Sequence, residues 1–244
     1  MPVVAHQVIT RFAMRTAFRA PTATEPLTGD WLRLRLELFE CWTLPSMRGQ
    51  TCRDFSWTLL CDEATDPAVL ERLRAADATI VPRLVPPRVE GELWPWRDIV
   101  ADPGPQADVL ITTRLDSDDG LHREYLERVR RAVGPFLASG EPRLVVSFPT
   151  GYRFDAATRT AYLTRTENGP FISLLERPDR VTAVGVMEKN HRKMVTRYPT
   201  RHDDALRAYV QVLHGDNVSN RLGPADRRVR PGRFARDFPR FGEA

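Results

Sequence analysis

Three acidic residues within four positions, Asp116-Ser117-Asp118-Asp119, are the strongest candidates for chemistry in this sequence. They directly follow the segment 108–115, which is apolar through its middle and predicts a strand that is buried on both faces. In open α/β sheets, ligands bind beyond the carboxyl ends of the strands. Carboxylates this close repel one another, so a site that keeps them ionised usually holds a cation, and oxygen ligands suit Mg²⁺ or Mn²⁺. Such a cation would bridge two phosphates and stabilise a departing nucleoside diphosphate.

Helix capping offers a simpler explanation for part of this run. Asp118 or Asp119 could cap the helix predicted to begin near Gly120, where the positive end of the helix dipole favours a carboxylate. One acid is enough for a cap, and the run contains three. The surplus favours a cation site.

The predicted secondary structure places the acidic run at the edge of an open sheet. Strands are predicted over 3–10, 55–61, 79–81, 108–115 and 144–148, and helices over about 31–42, 67–76 and 121–136. This alternation predicts an α/β fold with an open, mostly parallel twisted sheet and helices on both faces. A hairpin is predicted over 153–162, and a small antiparallel elaboration is predicted at the C-terminal side of the domain. Residues 1–223 are predicted to form a single domain, and 224–244 an Arg/Phe-rich tail.

Four stretches of the chain resemble the putative rhamnosyltransferases, bacterial glycosyltransferases of the GT-A fold. Ile111–Gly120 (ITTRLDSDDG) is similar to the central motif of that family, and Gln211–Val218 (QVLHGDNV) to its C-terminal block. Ile9–Phe12 and Phe55–Glu63 are similar to its first and second strands. The blocks follow the order of the family and cover most of the chain. One departure is Ala13, where the family pattern has asparagine.

The resemblance implies a GT-A-like fold and a metal-dependent transfer from a dTDP- or UDP-linked sugar to a hydroxyl of a saccharide or lipid-linked acceptor. Asp118 would be the main metal ligand, and Asp116 would contact the metal or the nucleotide ribose. Asp119 would support the site or touch the donor sugar. Asp62, at the end of the second strand, would bind the nucleobase, although a turn or a helix cap is an equal alternative. The donor sugar is not identified, because the family name alone indicates rhamnose.

Two histidines compete to complete the metal site. GT-A enzymes often close this site with a C-terminal histidine, and the block around His214 favours it over His191. Asn217 lies three residues further on and is predicted to bind phosphate or sugar hydroxyls. Arg11 and Arg114 lie near strand ends, where each would either clamp the diphosphate or neutralise the aspartates.

Glu176 is the predicted general base that takes the proton of the acceptor hydroxyl. It follows the apolar segment Phe171–Leu175, which would hold it against the core. The alternative is an ordinary surface glutamate that pairs with Arg177.

Composition and cysteine usage suggest an ordinary cytoplasmic domain. Apolar residues make up 42% of the chain and charged residues 28%. No apolar run approaches the roughly 18–20 residues of a membrane span, and no secretory signal is recognisable. Cys41, Cys52 and Cys61 lack metal-ligand spacing, which predicts free thiols in a reducing cytoplasm.

The tail from residue 224 contains six arginines together with Phe234, Phe238 and Phe241. It would either contact an anionic membrane surface or a lipid-diphosphate acceptor, or form a solvated, disordered end. The first interpretation would place the protein at the inner face of the membrane.

Three rival functions use the same features. The net charge of +4 and pI near 9.2 permit nucleic-acid binding. However, the basic residues are spread along the chain and the clearest strand ends in acids, so no nucleic-acid partner is expected. A metal-dependent nucleotidyltransferase or phosphohydrolase would use the same carboxylates. A non-catalytic binding domain of the same fold is the third alternative.

Overall fold

The computed structural model describes residues 2–14, 27–86, 99–100, 106–187, 190–215, 217, 220–239 and 241. All the candidate catalytic, metal-binding and donor-binding residues lie within these ranges. Residues 240 and 242–244 of the predicted tail lie outside them.

The described residues form strands and helices in alternation. The strands are β1 (Val4–Ala13), β2 (Ser56–Asp62), β3 (Ile80–Val85), β4 (Val109–Asp116), β5 (Gly120–Leu121), β6 (Arg143–Ser147), β7 (Thr150–Asp155), β8 (Thr160–Arg165), β9 (Ile172–Glu176), β10 (Thr200–His202), β11 (Tyr209–Leu213) and β12 (Arg227–Arg228). The helices are α1 (Gly29–Leu38), a π-helical turn (Phe39–Thr43), α2 (Leu44–Arg48), α3 (Pro67–Ala76), α4 (Tyr125–Arg130), α5 (Val133–Ser139), α6 (His191–Arg197) and α7 (Pro231–Asp237).

The main sheet has seven strands in the order β10-β6-β9-β4-β1-β2-β3. Strand β1 pairs in parallel with β2 and β4, and β2 pairs in parallel with β3. Strand β9 is antiparallel to both of its neighbours, β4 and β6. The predicted fold class, an α/β domain built on an open, mostly parallel sheet, is confirmed.

Both faces of the main sheet are covered, so residues at consecutive positions of its central strands are buried, including the polar side chains of Gln7, Thr112 and Thr113. Val8 of β1 packs in the core on one face, with helices α1 to α5, whereas its neighbour Ile9 packs in the core on the other face. The second face is covered in part by Met194 of α6 and by Val184. Successive strand residues point to opposite faces, so a doubly covered strand needs apolar residues at consecutive positions.

A second, smaller sheet has the order β12-β8-β7-β11-β5. It is mostly antiparallel, although β11 pairs in parallel with β7. The predicted hairpin forms β7 and β8 of this sheet. Its strands come from distant parts of the chain, so the predicted antiparallel elaboration is not confined to the C-terminus.

Two helix predictions differ from the structure. The helix expected to end before Pro45 instead continues through a π-helical turn into α2, where Pro45 lies in the first turn. The π-helical turn interrupts the regular hydrogen-bond pattern immediately before Pro45, the residue that has no N–H to donate to the preceding turn. The long helix expected over 121–136 is divided into α4 and α5, and its first residues form β5.

The predicted tail is not a separate solvated end where the structure describes it. Its phenylalanines Phe234, Phe238 and Phe241 are all buried, and their rings pack with those of Trp42 and Phe154. The segment is thereby part of the domain core next to the second sheet. Among the described residues, no helix is long and apolar enough to cross a membrane.

The ring of Phe241 lies against Gly120, the residue that follows the acidic run. A Cβ atom built on Gly120 would lie 2.5 Å from a ring carbon of Phe241 and 3.1 Å from Val210. The C-terminal segment therefore packs directly behind the acidic motif.

This packing predicts a measurable coupling between Gly120 and Phe241. Phe241→Ala should lower the free energy of unfolding by about 3 kcal/mol because it removes a buried ring. Gly120→Ala should also destabilise the protein, but its effect should shrink in the Phe241→Ala background, where the methyl group has space. Urea denaturation of the two single variants and the double variant measures the coupling. Gly134→Ala is the control, since a Cβ there meets nothing within 4 Å; strictly additive effects at 120 and 241 would contradict the packing.

Candidate active site

The carboxyl ends of three parallel strands meet at one edge of the main sheet. Arg11 of β1 pairs directly with Asp116 of β4 in the strand register. On the other side of β1, Ala13 pairs with Cys61, so Asp62 ends β2 at the same edge. The sequence prediction that these residues share an edge is consistent with this register.

Asp116 is held between two arginines. Its carboxylate accepts hydrogen bonds from Arg11 at 3.2 Å and from Arg114 at 3.2 Å. Burial acts to raise the pKa of Asp116, but the guanidinium groups of Arg114 and Arg11 outweigh it and hold the pKa below its ordinary value. Asp116 is therefore ionised at neutral pH, and these two arginines neutralise it in this structure.

Asp118 is approached by His214, 96 residues later in the sequence. The distance between Asp118 Oδ2 and His214 Nε2 is 3.0 Å. Asn217 fixes the histidine from both sides: its Oδ1 accepts the backbone N–H of His214 at 2.6 Å, and its Nδ2 lies 3.0 Å from Nε2. One ring nitrogen cannot both donate to Asp118 and accept from Asn217, so either arrangement leaves one of these contacts unfavourable.

The spacing of Asp118 and His214 would suit a divalent cation whose remaining ligands were phosphate oxygens or water. Two adjacent ligands of an octahedral ion with bonds of about 2.1 Å lie about 3 Å apart, which matches the observed separation. A cation between them would also remove the conflict at Nε2. In the described part of the chain, no group of three or more His, Cys, Asp or Glu side chains could hold a metal by itself. Nucleotide-bound Mg²⁺ usually takes one or two protein ligands together with phosphate oxygens.

Asp119 points away from solvent and joins the acidic run to β11. It is fully buried, and its Oδ1 accepts the backbone N–H of Val212 at 2.7 Å. Its Oδ2 has no hydrogen-bond partner among the described residues. Burial and the charges of Asp118 and Asp116 raise the pKa of Asp119 well above its ordinary value. This placement corrects the expectation that Asp119 touches the donor sugar and leaves it a supporting role.

Asp62 is buried at the end of β2, where its Oδ1 accepts the backbone N–H of Ala64 at 2.9 Å. This hydrogen bond is the turn geometry that stood as the alternative to nucleobase binding. The position of Asp62 at the shared edge is compatible with both roles.

His191 begins α6 and lies close enough to Arg114 and Asp116 to be affected by their charges. Burial, together with Arg114 and Arg192, lowers the pKa of His191 to about 4, so the ring is neutral at pH 7. Its Nδ1 is buried without a hydrogen-bond partner in the described structure. His214 contacts Asp118 directly and His191 does not, so the geometry favours His214 as the metal ligand.

Glu176 is not brought to this edge. Strand β9 is antiparallel to β4, and Glu176 pairs with Leu110 near the start of β4, about 20 Å along the strand from Asp116. The carboxylate is fully buried and accepts hydrogen bonds from Arg143 at 3.0 Å and from the backbone N–H of Gly185 at 2.9 Å. This placement corrects the assignment of Glu176 as general base, and its contacts indicate a structural role in holding residues 184–185.

Arg35 on α1 is a site residue that sequence reasoning missed. Its Nη2 donates to Ser117 Oγ at 3.0 Å, and its Nη1 lies 3.6 Å from Asp118 Oδ2. No local motif distinguishes it among the 36 basic residues of the chain. The arginines also weaken the argument that three carboxylates require a metal, since Arg11, Arg114 and Arg35 supply compensating charge.

Comparison with known proteins identifies the family of the chain. A family model described as putative rhamnosyl transferase matches residues 7–226. No curated protein matches the sequence.

Solved structures with similar folds include residues 1–349 of S. aureus TarS in complex with UDP-GlcNAc. That protein is 13% identical, with a TM-score of 0.47, over 90% of this chain and 62% of that one. A protein of Mycobacterium tuberculosis H37Rv is 13% identical over the whole of both chains, with a TM-score of 0.43. The 4-diphosphocytidyl-2C-methyl-D-erythritol synthase of Anaerococcus prevotii is 15% identical over 91% of this chain and 90% of that one, with a TM-score of 0.35. The chain thus spans about three fifths of the TarS 1–349 chain.

The buried carboxyl of Asp119 predicts a pH-dependent stability. The pKa of Asp119 is raised in the folded protein, so its contribution to the free energy of unfolding is complete below the unfolded pKa of about 3.9. This contribution is lost as the pH rises through the raised pKa, because the ionised carboxylate is then buried. Asp119→Asn keeps an acceptor for the Val212 amide and removes the buried charge. The free energy of unfolding at pH 7 should therefore be about 1 kcal/mol higher than in the wild type. Asp119→Ala leaves the Val212 amide unpaired, so it should lower the free energy of unfolding by about 1–3 kcal/mol.

Urea denaturation at pH 5 and pH 8 in the presence of a chelator measures both variants. The advantage of Asp119→Asn over the wild type should be larger at pH 8. Equal losses in Asp119→Asn and Asp119→Ala would show that the ionised carboxylate itself is required for folding.

Proposed function

The chain belongs to the putative rhamnosyl transferase family, and from that premise we propose that it moves a sugar from a nucleoside-diphosphate donor to a hydroxyl of a saccharide or lipid-linked acceptor. Glycosyl transfer is the general activity of the family; the donor, the acceptor and the dependence on Mn²⁺ or Mg²⁺ are the proposal. The approach of His214 to Asp118 at 3.0 Å carries it. Folding brings together the two residue types that a cation bound to a diphosphate needs.

The residues at the edge of the sheet have distinct roles in this proposal. Asp118 and His214 would hold the cation, and Asn217 would orient His214. A bound cation would act as a Lewis acid that stabilises the departing diphosphate. Asp116, kept ionised by Arg11 and Arg114, would accept a hydrogen bond from the ribose of the nucleotide.

The family name favours rhamnose, and hence a dTDP-linked donor over a UDP-linked one. Asp62, at the end of β2, would lie near the base, with its carboxylate held by the turn to Ala64. Because Glu176 lies at the opposite edge, the base that activates the acceptor must be a different group.

Two other functions would use the same site. A metal-dependent nucleotidyltransferase or phosphohydrolase would bind the same diphosphate, and a non-catalytic domain would bind the donor without turnover. Family membership favours sugar transfer over both. They are also distinguished by the products: a transferase releases a nucleoside diphosphate only when an acceptor hydroxyl is present.

Ligand-induced thermal stability tests the donor site. With Mn²⁺ present, dTDP or UDP at a hundred times its Kd should stabilise the protein by about 2.7 kcal/mol. Asp118→Asn should abolish this metal-dependent gain because it weakens the cation site. Asp30→Asn is the matched control, since Asp30 is exposed on α1 and pairs with Arg33, away from the acidic run. Absence of stabilisation by either nucleotide under every metal condition would contradict the proposal.

We also propose a peripheral contact with an anionic membrane. The three phenylalanines of the C-terminal segment are buried, so this contact would be made by its exposed arginines. The arginines at 227, 228, 230, 233 and 236 are exposed, whereas Asp226 and Asp237 pair with Arg153 and Arg207 of the domain. The outer face of this segment is therefore basic and its inner face apolar. Contact with lipid at the inner face of the membrane would be electrostatic rather than by insertion of Phe234, Phe238 or Phe241.

Charge reversal on α7 tests the membrane contact. Arg233→Glu with Arg236→Glu should weaken binding to phosphatidylserine-containing vesicles by about thirtyfold, at about 1 kcal/mol for each arginine, and the remaining binding should fall with added salt. The control is Arg33→Glu with Arg165→Glu, two exposed arginines elsewhere whose reversal changes the net charge equally. An equal loss of vesicle binding in the control variant would show that the effect depends on net charge alone. Unchanged binding in the variant with Arg233→Glu and Arg236→Glu would exclude α7 as the membrane-contacting surface.

A further inference from the structure

Arg35 belongs to helix α1, which has no other residue assigned to the site. Its side chain reaches the acidic run at Ser117 and Asp118. Helix α1 places Trp31 and Arg35 one turn apart on one side, and the guanidinium carbon lies 5.7 Å from the centre of the Trp31 ring. The Arg35 side chain is 19% exposed, whereas Arg33 on the same helix is 66% exposed and pairs with Asp30 and Glu37. The environment of Arg35 is thus that of a placed side chain rather than a solvated one.

Most of the donors of Arg35 have no acceptor among the described residues. Nη2 donates to Ser117, but Nη1 is 3.6 Å from Asp118 Oδ2, beyond a normal hydrogen bond. Nε is buried and has no hydrogen-bond partner in the described part of the chain. A guanidinium has five N–H donors, and a buried one without a partner favours binding of an anion that supplies acceptors.

Arg35 also shares a carboxylate oxygen with the proposed cation site. Asp118 Oδ2 faces both Arg35 and His214, and the oxygen proposed to bind a metal is the one that the guanidinium approaches. Two positive charges within a few ångströms repel each other, so a divalent cation at Asp118 would displace Arg35 unless an anion lay beside both. A diphosphate bridged by the cation is such an anion, and arginine binds phosphate through paired N–H donors.

We propose that Arg35 is the internal counter-ion of Asp118 in the donor-free protein and becomes a diphosphate-binding residue when the metal–nucleotide complex enters. This inference rests on the proposed function, because it takes Asp118 as the cation ligand. It assigns to α1 a part in donor binding and predicts that metal and nucleotide bind cooperatively. Arg35 competes with the metal alone for Asp118, whereas it binds the diphosphate when metal and nucleotide are both present.

The proposal predicts effects of opposite sign from one substitution. In Arg35→Met, which keeps an unbranched apolar side chain but removes the guanidinium, the affinity for Mn²⁺ alone should rise about three- to tenfold because the competing charge is gone. The affinity for dTDP or UDP at saturating Mn²⁺ should instead fall about tenfold because charge-assisted hydrogen bonds to phosphate are lost. Calorimetric titration of Mn²⁺ alone, and then of the nucleoside diphosphate, measures both quantities.

Two further variants separate this role from a structural one. Arg35→Lys keeps the charge but not the fork, so it should leave the Mn²⁺ affinity close to that of the wild type and still weaken nucleotide binding. Arg33→Met, on the same helix, should change neither quantity. Urea denaturation of each variant checks that the protein is folded.

The outcomes distinguish this proposal from the proposed function. If the wild type binds a nucleoside diphosphate and Arg35→Met binds both ligands unchanged, the Arg35 proposal fails and the donor site stands. If both affinities fall together in Arg35→Met, Arg35 is only structural and the proposal also fails. If neither protein binds a nucleoside diphosphate, the proposed function fails; in that case tighter Mn²⁺ binding by Arg35→Met still supports the counter-ion role, and unchanged Mn²⁺ binding refutes it.

Discussion

The hydrogen bond from the Val212 amide to the buried carboxyl of Asp119 links the acidic run to β11 and so determines the geometry of the candidate site. The acidic run ends β4 of the main sheet, whereas β11 belongs to the second sheet. Residues 120–121 reinforce this link as β5, which pairs with β11. Because β11 ends at Leu213, its position sets where His214 lies. The 3.0 Å approach of His214 to Asp118 is a consequence.

Three adjacent carboxylates persist at this edge because each is accommodated in a different way. Asp116 is neutralised by Arg11 and Arg114, Asp119 is buried with a raised pKa, and Asp118 faces Arg35 and His214. Only Asp118 keeps contacts that are weak or mutually incompatible. The charge balance thus distinguishes Asp118, the carboxylate proposed to hold the cation, from its two acidic neighbours, which the spacing of the acidic residues alone does not do.

The C-terminal segment shows how the site depends on packing outside the sheet. The family match ends at residue 226, yet Phe241 lies against Gly120 and the rings of α7 pack beside the second sheet. These residues fill the space behind the acidic run and leave their arginines on the outside. A segment with the composition of a solvated tail is thereby apolar on one face and basic on the other, and its two faces can serve stability and surface contact separately.

Local patterns in the sequence were enough to predict much of this protein. The segment before Asp116, apolar through its middle, identified a doubly covered strand, and the acidic run at its end predicted a ligand site at that edge of the sheet. The family resemblance, now extended to residues 7–226, pointed to His214. These features are encoded within about ten consecutive residues, because strand burial and strand ends leave a local signature.

The tertiary structure decided the rest. The apolar run before Glu176 predicts a buried general base at the site. However, β9 runs antiparallel to β4, so this carboxylate lies at the far edge of the sheet. The sequence does not encode the direction of a strand locally. Arg35 and the three tail phenylalanines carry no motif; their roles arise from the contacts of α1 with Ser117 and of Phe241 with Gly120. Strand direction and side-chain contacts over 80 or more residues depend on how the whole chain packs, so only the folded protein specifies them.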